Sequence, residues 1–505
     1  MRTSSENSDV GGRDLLCDDL PSRPDPNMGR ILVTGASGYI GGRLVPELIA
    51  RGYQVCVMVR ADSPEYKRAW PEAEVVVADA LEMRQLEEAL DGIDTAFYLI
   101  HSLLRGPREF EAADIEAATN FRSVAARKKL KRIIYLGGLG DIRGPLSLHL
   151  RNRMEVATEL VRGTVPVTIL RAAIIIGSGS ASYEIIQHLV KKLPVVIVPR
   201  ATLNRCQPIS IRDVIKYLVG TLEVQATTGQ YLDIGGSDIL TYKDMLATLA
   251  NVLGRKTMII VSPLSSMTLY AYMVSLLTPV PNAITQCLMK GLSNEVICQT
   301  NDIRKYLPFH PISYREALVR AMTREEQDRV HTRWSDAYPP AHELALKLQE
   351  VREQITYTAG DSLLTSKSSA SLFSSLCKIG GKEGWFHSTW MWRLRGMLDR
   401  ILMGVGVARG RKRYSHLEIN DVLDFWRVED IRPDARLLLR AEMKLPGRAW
   451  LEFTITPVAN QRQLSVTAYF DSRRFSGWLY WYICMPFHHF IFKHLIEEIE
   501  IKSAP

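Results

Sequence analysis

Arg30-Ile31-Leu32-Val33-Thr34-Gly35-Ala36-Ser37-Gly38-Tyr39-Ile40-Gly41-Gly42 decides the fold of the N-terminal part of this chain. Arg30 to Thr34 is a short apolar run of the kind that forms a buried strand, and Gly41 to Arg51 follows with helical spacing. The loop between them reads Gly35-x-x-Gly38-x-x-Gly41. The first glycine permits a tight turn, the second lets backbone approach a diphosphate, and the third allows helix to pack closely on strand. The start of the helix then offers unused N–H groups and positive potential to phosphates. A glycine triplet alone says little; a strand before it and a helix after it supply the context it needs. Thr34, Gly35, Ser37, Gly38, Tyr39, Ile40 and Gly41 are therefore expected to hold a dinucleotide.

Outward from this loop, Val- and Ile-rich runs alternate with helical stretches. Strands are predicted over 54–60, 74–78, 95–100, 132–136 and 167–170, with helices up to Leu90 and over Ile115–Leu130. Such βαβ units make a doubly wound parallel α/β sheet. Residues 180–330 hold shorter elements and prolines, suited to a substrate cap on that sheet. A polar helical connector spans 341–354. Beyond it, Ala435–Met443, Arg448–Thr456 and Gln463–Phe470 read as antiparallel strands, followed by a long aromatic helix from about Gly477 to Ile499. The expected domains are a disordered leader at 1–28, a Rossmann domain with cap at 29–330, a helical connector at 331–355 and an α+β domain at 356–505.

Composition narrows the function classes. The 505 residues carry a net charge of +8 with 46% hydrophobic and 23% charged residues, which is ordinary globular composition. No nucleic-acid module is present, so the charge suits anionic ligands or membrane surfaces. The seven cysteines form no Cys-x-x-Cys pair, which argues against structural zinc and a disulfide framework and fits a reducing cytoplasm. Histidines and cysteines show no ligand spacing, so no metal site is expected. Met1 to Asn27 has no apolar core of a secretory signal. Residues 266–283 and 475–492 are apolar but interrupted by prolines and, in the second, histidines. Neither matches the clean run of about 20 apolar residues that spans a bilayer. Contact with a membrane surface remains an open role.

The glycine spacing together with Thr34 resembles the extended and atypical short-chain dehydrogenase/reductases over about residues 29–330. By that resemblance the residue closing the second strand selects the cofactor. Arg60 favours the 2′-phosphate of NADP(H), while Asp62 leaves NAD(H) open. Asp79 and Ala80 should border the adenine, and Leu99, Ile100 and His101 the nicotinamide. The family's Tyr-x-x-x-Lys is missing. Aligning Glu155-Val156 with the family helix puts His149 at the tyrosine and Arg153 at the lysine. His149 can exchange protons near neutrality; Arg153 can hold a ribose or phosphate but cannot trade protons. Asn120 matches the family's relay asparagine, and Tyr98, His101 and Ser102 are further proton-donor candidates. The segments Leu170–Gly177, Gln207–Val214 and Ile234-Gly235-Gly236 extend the likeness to bacterial two-domain proteins that join such a domain to one of unknown function. The resemblance implies an NAD(P)-dependent oxidoreductase moving hydride to or from an apolar carbonyl or alcohol. The lost tyrosine leaves a non-catalytic cofactor sensor as an alternative.

The C-terminal strands and terminal helix resemble the START-like helix-grip fold of polyketide-cyclase and lipid-transfer domains. That implies an apolar cavity beneath the helix, lined or capped by Trp478, Tyr480, Trp481, Tyr482, Phe487 and Phe490, and an apolar ligand shared between domains. Gly380-Gly381 and the run Arg409-Gly410-Arg411-Lys412-Arg413 could bind an anion, though basic runs are usually solvated loops.

Overall fold

In the computed structural model, residues 15–60, 64–101, 109–140, 146–326, 332–337, 348–352, 355–380, 385, 389–401, 404, 406 and 417–503 are described. Its first sheet is built from β1 (Arg30–Thr34), β2 (Val55–Val59), β3 (Glu74–Val77), β4 (Ile93–Tyr98), β5 (Arg132–Gly138) and β6 (Val167–Ala172). Helices α1 (Gly41–Ala50), α2 (Glu109–Arg127) and α3 (Leu148–Val161) cross between them. Next come α4 (Ala181–Lys192), β7 (Val195–Pro199), α5 (Ile211–Glu223), β8 (Tyr231–Ile234), β9 (Met258–Ser262) and α6 (Met267–Leu277). The sheet order is β8-β6-β5-β4-β1-β2-β3, all parallel. Both faces are covered by helices, so β2 is buried along its whole length, as apolar VCVMV requires. Strand order reverses between β1 and β4, and ligands of such sheets bind at the carboxyl edge there.

β4 ends at Tyr98, two residues earlier than expected from sequence. Leu99, Ile100 and His101 thereby leave the sheet and enter the loop at that edge. In the cap, β7 and β9 form a two-stranded parallel ribbon, Val195 opposite Met258 through Pro199 opposite Ser262.

The second sheet orders β10 (Tyr357–Thr365), β11 (Val422–Leu423), β12 (Trp426–Arg432), β13 (Arg436–Ala441), β14 (Arg448–Val458) and β15 (Gln461–Asp471) as β10-β15-β14-β13-β12-β11, antiparallel throughout. Helix α7 (Thr389–Ile401) lies in sequence between β10 and β11, and α8 (Phe475–Ile501) follows the sheet. Phe492, Leu495, Ile496 and Ile499 bury the second half of α8 against Leu437, Leu439 and Phe453. Sequence reading missed β10, because YTAGDSLLT mixes small and polar residues in an edge strand whose exposed face needs no apolar side chains.

Two expectations need correction, for the leader and for the cavity under α8. Residues 15–28 are no disordered leader: Leu16, Cys17 and Leu20 are buried in the first core, and Glu47 accepts the Leu16 and Cys17 amides. Asp19 pairs with Lys216 of α5, and Ser22 donates to Glu223. The described ends of the connector are docked: Arg43 binds Thr332, Glu184 accepts from the Trp334 indole, and the Leu348 amide donates to Glu429. Finally, the space beneath α8 is about 60 Å³, too small for a lipid. Trp392, Trp426 and Trp450 occupy the interior where a ligand would lie. Tyr480 and Trp481 do line that gap, but Trp478, Tyr482, Phe487 and Phe490 are exposed. Residues 409–413, Gly381, Asp62 and Ser102 fall outside the described residues.

The two domains meet through α6 and α7. Tyr272 donates to the Ile401 carbonyl at 3.3 Å, and Arg400 donates to the Leu276 carbonyl at 2.7 Å. No helix among the described residues is long and apolar enough to cross a membrane.

Candidate active site

The phosphate loop is shaped by close approaches that exclude side chains. Gly35 has φ +63°, and a Cβ there would stand 2.7 Å from the Leu99 carbonyl oxygen. A Cβ on Gly41 would collide with the Gly35 carbonyl and lie 2.7 Å from the Ala36 Cα. No side chain caps the start of α1, where the Gly42 and Arg43 amides bond to the Gly38 and Ile40 carbonyls, and a helix N-terminus of this kind carries positive potential that suits an anion. Ser37, Gly38, Tyr39 and Ile40 are half-buried along it. Thr34 serves the sheet and not the phosphates. Its fully buried hydroxyl donates to the Phe97 carbonyl and accepts the Leu99 amide, latching β1 to β4. Arg60 directly follows β2 and is exposed. Asp79 accepts the Leu81 amide at 3.0 Å and so shapes the loop after β3.

A cavity of about 830 Å³ runs from this edge into the cap. Tyr39, Leu99, His101, Gly138, His149 and Arg153 line its sheet end. Ile185, Leu189, Val198, Met245, Val274 and Leu292 line the cap end. Most of that wall is hydrocarbon, with a few polar groups gathered beside the phosphate loop, the usual composition of a small-molecule site.

His149 and Arg153, paired in the sequence reading, both line this end, and His101 joins them. The His101 and His149 rings lie 5.1 Å apart. Asp114 of α2, almost fully buried, sits 3.0 Å from His101 Nδ1 and also accepts from the Asn152 amide at 2.9 Å. Burial lowers the His101 pKa, helped by the Arg153 charge and opposed by Asp114. Burial, His101 and Arg153 together drive His149 well below the ordinary imidazole range. Among the described residues, His149 Nδ1 is buried without a hydrogen-bond partner. Arg153 donates to the carbonyls of Leu136 and Ile100 and lies 4.8 Å over the Tyr135 ring. It ties the ends of β4 and β5 together.

Asn120 is not part of this group. Its amide donates to the Ala80 and Leu81 carbonyls, bracing the loop after β3 instead of reaching the cavity. Tyr98 lies in the core, edge-on to Phe121. Sequence reading missed Asp114 and Asn152. Asn152 stands three residues after His149 on one helix, but nothing in the sequence links it to a carboxylate 38 residues away.

Fold and phosphate loop define a Rossmann domain joined to a second, antiparallel domain. Comparison with known proteins gives the following likenesses. Residues 35–188 match the NAD(P)H-binding family, and residues 353–495 match the protein family of unknown function DUF2867. The chain is 26% identical over 258 residues to a chloroplastic divinyl chlorophyllide a 8-vinyl-reductase of Arabidopsis thaliana, covering 47% of this chain and 60% of that protein. It is 30% identical over 145 residues to a 3-beta-hydroxysteroid dehydrogenase of Mycolicibacterium neoaurum, covering 26% of this chain and 39% of that protein. The chain thus spans less than two thirds of these relatives. A solved nucleoside-diphosphate-sugar epimerase from Staphylococcus aureus has a TM-score of 0.48 at 20% identity, covering 57% of this chain and 99% of that one.

Proposed function

We propose that the protein is an NADP(H)-dependent oxidoreductase acting on an apolar alcohol or carbonyl compound. One observation carries this reading: the roughly 830 Å³ hydrocarbon-walled cavity ends on the His101–His149 pair beside the phosphate loop. The dinucleotide would lie along Gly35, Ser37, Gly38, Tyr39, Ile40 and Gly41, with Arg60 beside a 2′-phosphate and Asp79-Ala80 near the adenine. Asn120 would keep that last loop in place. Leu99, Ile100 and His101 would border the nicotinamide, which supplies the hydride-transfer chemistry when bound. The relatives named for a steroid and a chlorophyllide support a bulky apolar substrate.

With Asp114 ionised, it can only accept, so His101 donates from Nδ1 and keeps an acceptor at Nε2. His101 and His149 are both held neutral, so the pair is set to take the proton of a substrate hydroxyl as hydride leaves the adjacent carbon. Arg153 positions the strand ends instead of moving protons.

Calorimetry with NADPH and NADH, followed by absorbance assays on sterols and long-chain alcohols, tests the reading. NADPH should bind more tightly than NADH, and His149→Ala should cut turnover by about 100-fold with cofactor affinity kept. A protein that binds NADPH but turns over none of these substrates would instead be a cofactor sensor. That second reading draws on Arg153, which stands at the family's lysine yet binds main-chain carbonyls.

A further inference from the structure

The cavity opens on an apolar surface. Val195, Ile197, Leu264, Leu269 and Met273 line it and are also exposed, Ile197 and Leu264 at 60% each. They form its rim. The outer side of the β7–β9 ribbon adds Met258 and Ile260. Helix α6 passes the surface on to α7, through the Tyr272–Ile401 and Arg400–Leu276 bonds. There Leu394, Met397, Leu398 and Ile401 are exposed. Arg395 of α7, 5.4 Å from the Tyr480 ring, joins it to α8.

On α8 the exposed arc is Phe475, Trp478, Leu479, Tyr482, Ile483 and Met485, continuing to Phe487 and Phe490. From Phe475 to Phe490 there is no Asp, Glu, Lys or Arg. Exposed Arg473 and Arg474 precede the stretch and exposed Lys493 follows it. Exposed Lys191 and Lys192 end α4, directly before β7. Asp361 lies 3.5 Å from His489 and is mostly covered.

We propose that this face seats the protein on a bilayer carrying anionic headgroups, with the cavity mouth turned toward the lipid. Proteins that stay free in water seldom leave contiguous apolar patches beyond a few hundred Å². Tyr and Trp beside a cationic rim suit the headgroup boundary, where rings bury and charges meet phosphates. Pro486 and the stretch's length, about 24 Å at 1.5 Å per residue, fit a helix lying in the interface and not crossing it. A second copy docked through the same face would bring the cationic flanks of both chains together. A bilayer also gives an apolar substrate a route into the cavity without passing through water.

The test uses the full chain and needs no turnover, so it stands apart from the catalytic reading. Protein is sedimented with phosphatidylcholine vesicles, with or without about 30% phosphatidylglycerol. It should pellet with the anionic vesicles, and brominated lipid should quench its tryptophan fluorescence. Trp478→Asp with Phe487→Asp should weaken partitioning by about tenfold or more. Arg473→Glu with Arg474→Glu should do so by about fivefold, on anionic vesicles only. All four positions are exposed, and an unchanged melting midpoint and NADPH affinity would verify folding. Wild-type protein left in the supernatant with both vesicles would overturn the proposal. So would unchanged binding of both variant pairs, or a lipid-free dimer that Trp478→Asp breaks apart.

Discussion

Gly35 shows how one position controls both turn and ligand. Its φ of +63° is costly for a side chain, and its neighbour is the Leu99 carbonyl. Gly35→Val should weaken NADPH binding by more than about tenfold, or about 1.4 kcal/mol, as calorimetry would show. The same scale governs pH. Burial lowers His149, His188 and His488, the last two to about 4. These groups are neutral when folded, whereas an unfolded imidazole titrates near ~6.5. The unfolded chain therefore binds more protons below that value, and stability is full above it and lost as pH falls toward the folded values. The thermal midpoint should drop between pH 7 and 5, and His149→Gln should flatten part of that slope. Oxidation should persist below the ordinary imidazole range for the same reason, with the acid limb of the pH–rate profile displaced downward. Asp114→Asn removes the carboxylate charge beside His101 and should lower turnover with little change in cofactor affinity.

At the scale of elements, periodicity predicted the strands and crossovers of the first sheet closely, since buried parallel strands are nearly continuous runs of Val and Ile. Edge and surface elements were harder to read. β10 alternates half-buried and exposed residues and carries little apolar signal. α8 is apolar all round in its first half, which in sequence suggested a ligand cavity, while in the fold Gly477, Tyr480 and Trp481 of that half turn inward and most of its large apolar side chains are exposed. The cap is likewise a product of packing: α4, β7 and α6 surround the cavity although their sequence only suggests irregular structure. Ile186 of α4 lines its wall. Ile186→Trp should shorten it, raising KM for a bulky apolar substrate by about tenfold while NADPH affinity stays within about twofold. Steady-state kinetics beside calorimetry would separate the two effects.

Across the whole molecule, the domains are joined by polar bonds as well as apolar packing. Arg427 of β12 is almost fully buried, pairs with Glu442 and donates to the Ser335 carbonyl of the 332–337 segment. Removing one member of a buried pair leaves an uncompensated charge, which costs about 3–5 kcal/mol. Glu442→Gln should therefore lower the urea midpoint of the C-terminal domain sharply. Arg427→Met with Glu442→Leu should recover most of the loss, because both charges then vanish together.

The sequence by itself determined the parallel sheet, the phosphate loop and the meeting of His149 with Arg153 on one helix. Those depend on local spacing: period 2 or 3.6, and glycines where a side chain would collide. The tertiary structure decided what had to come from distant segments. It placed Asp114 beside His101, made the cap's cavity, docked residues 15–28 and filled the space under α8 with tryptophans. Burial, and with it the lowered pKa of His101 and His149, belongs to that second level, since desolvation depends on neighbours the chain order does not reveal.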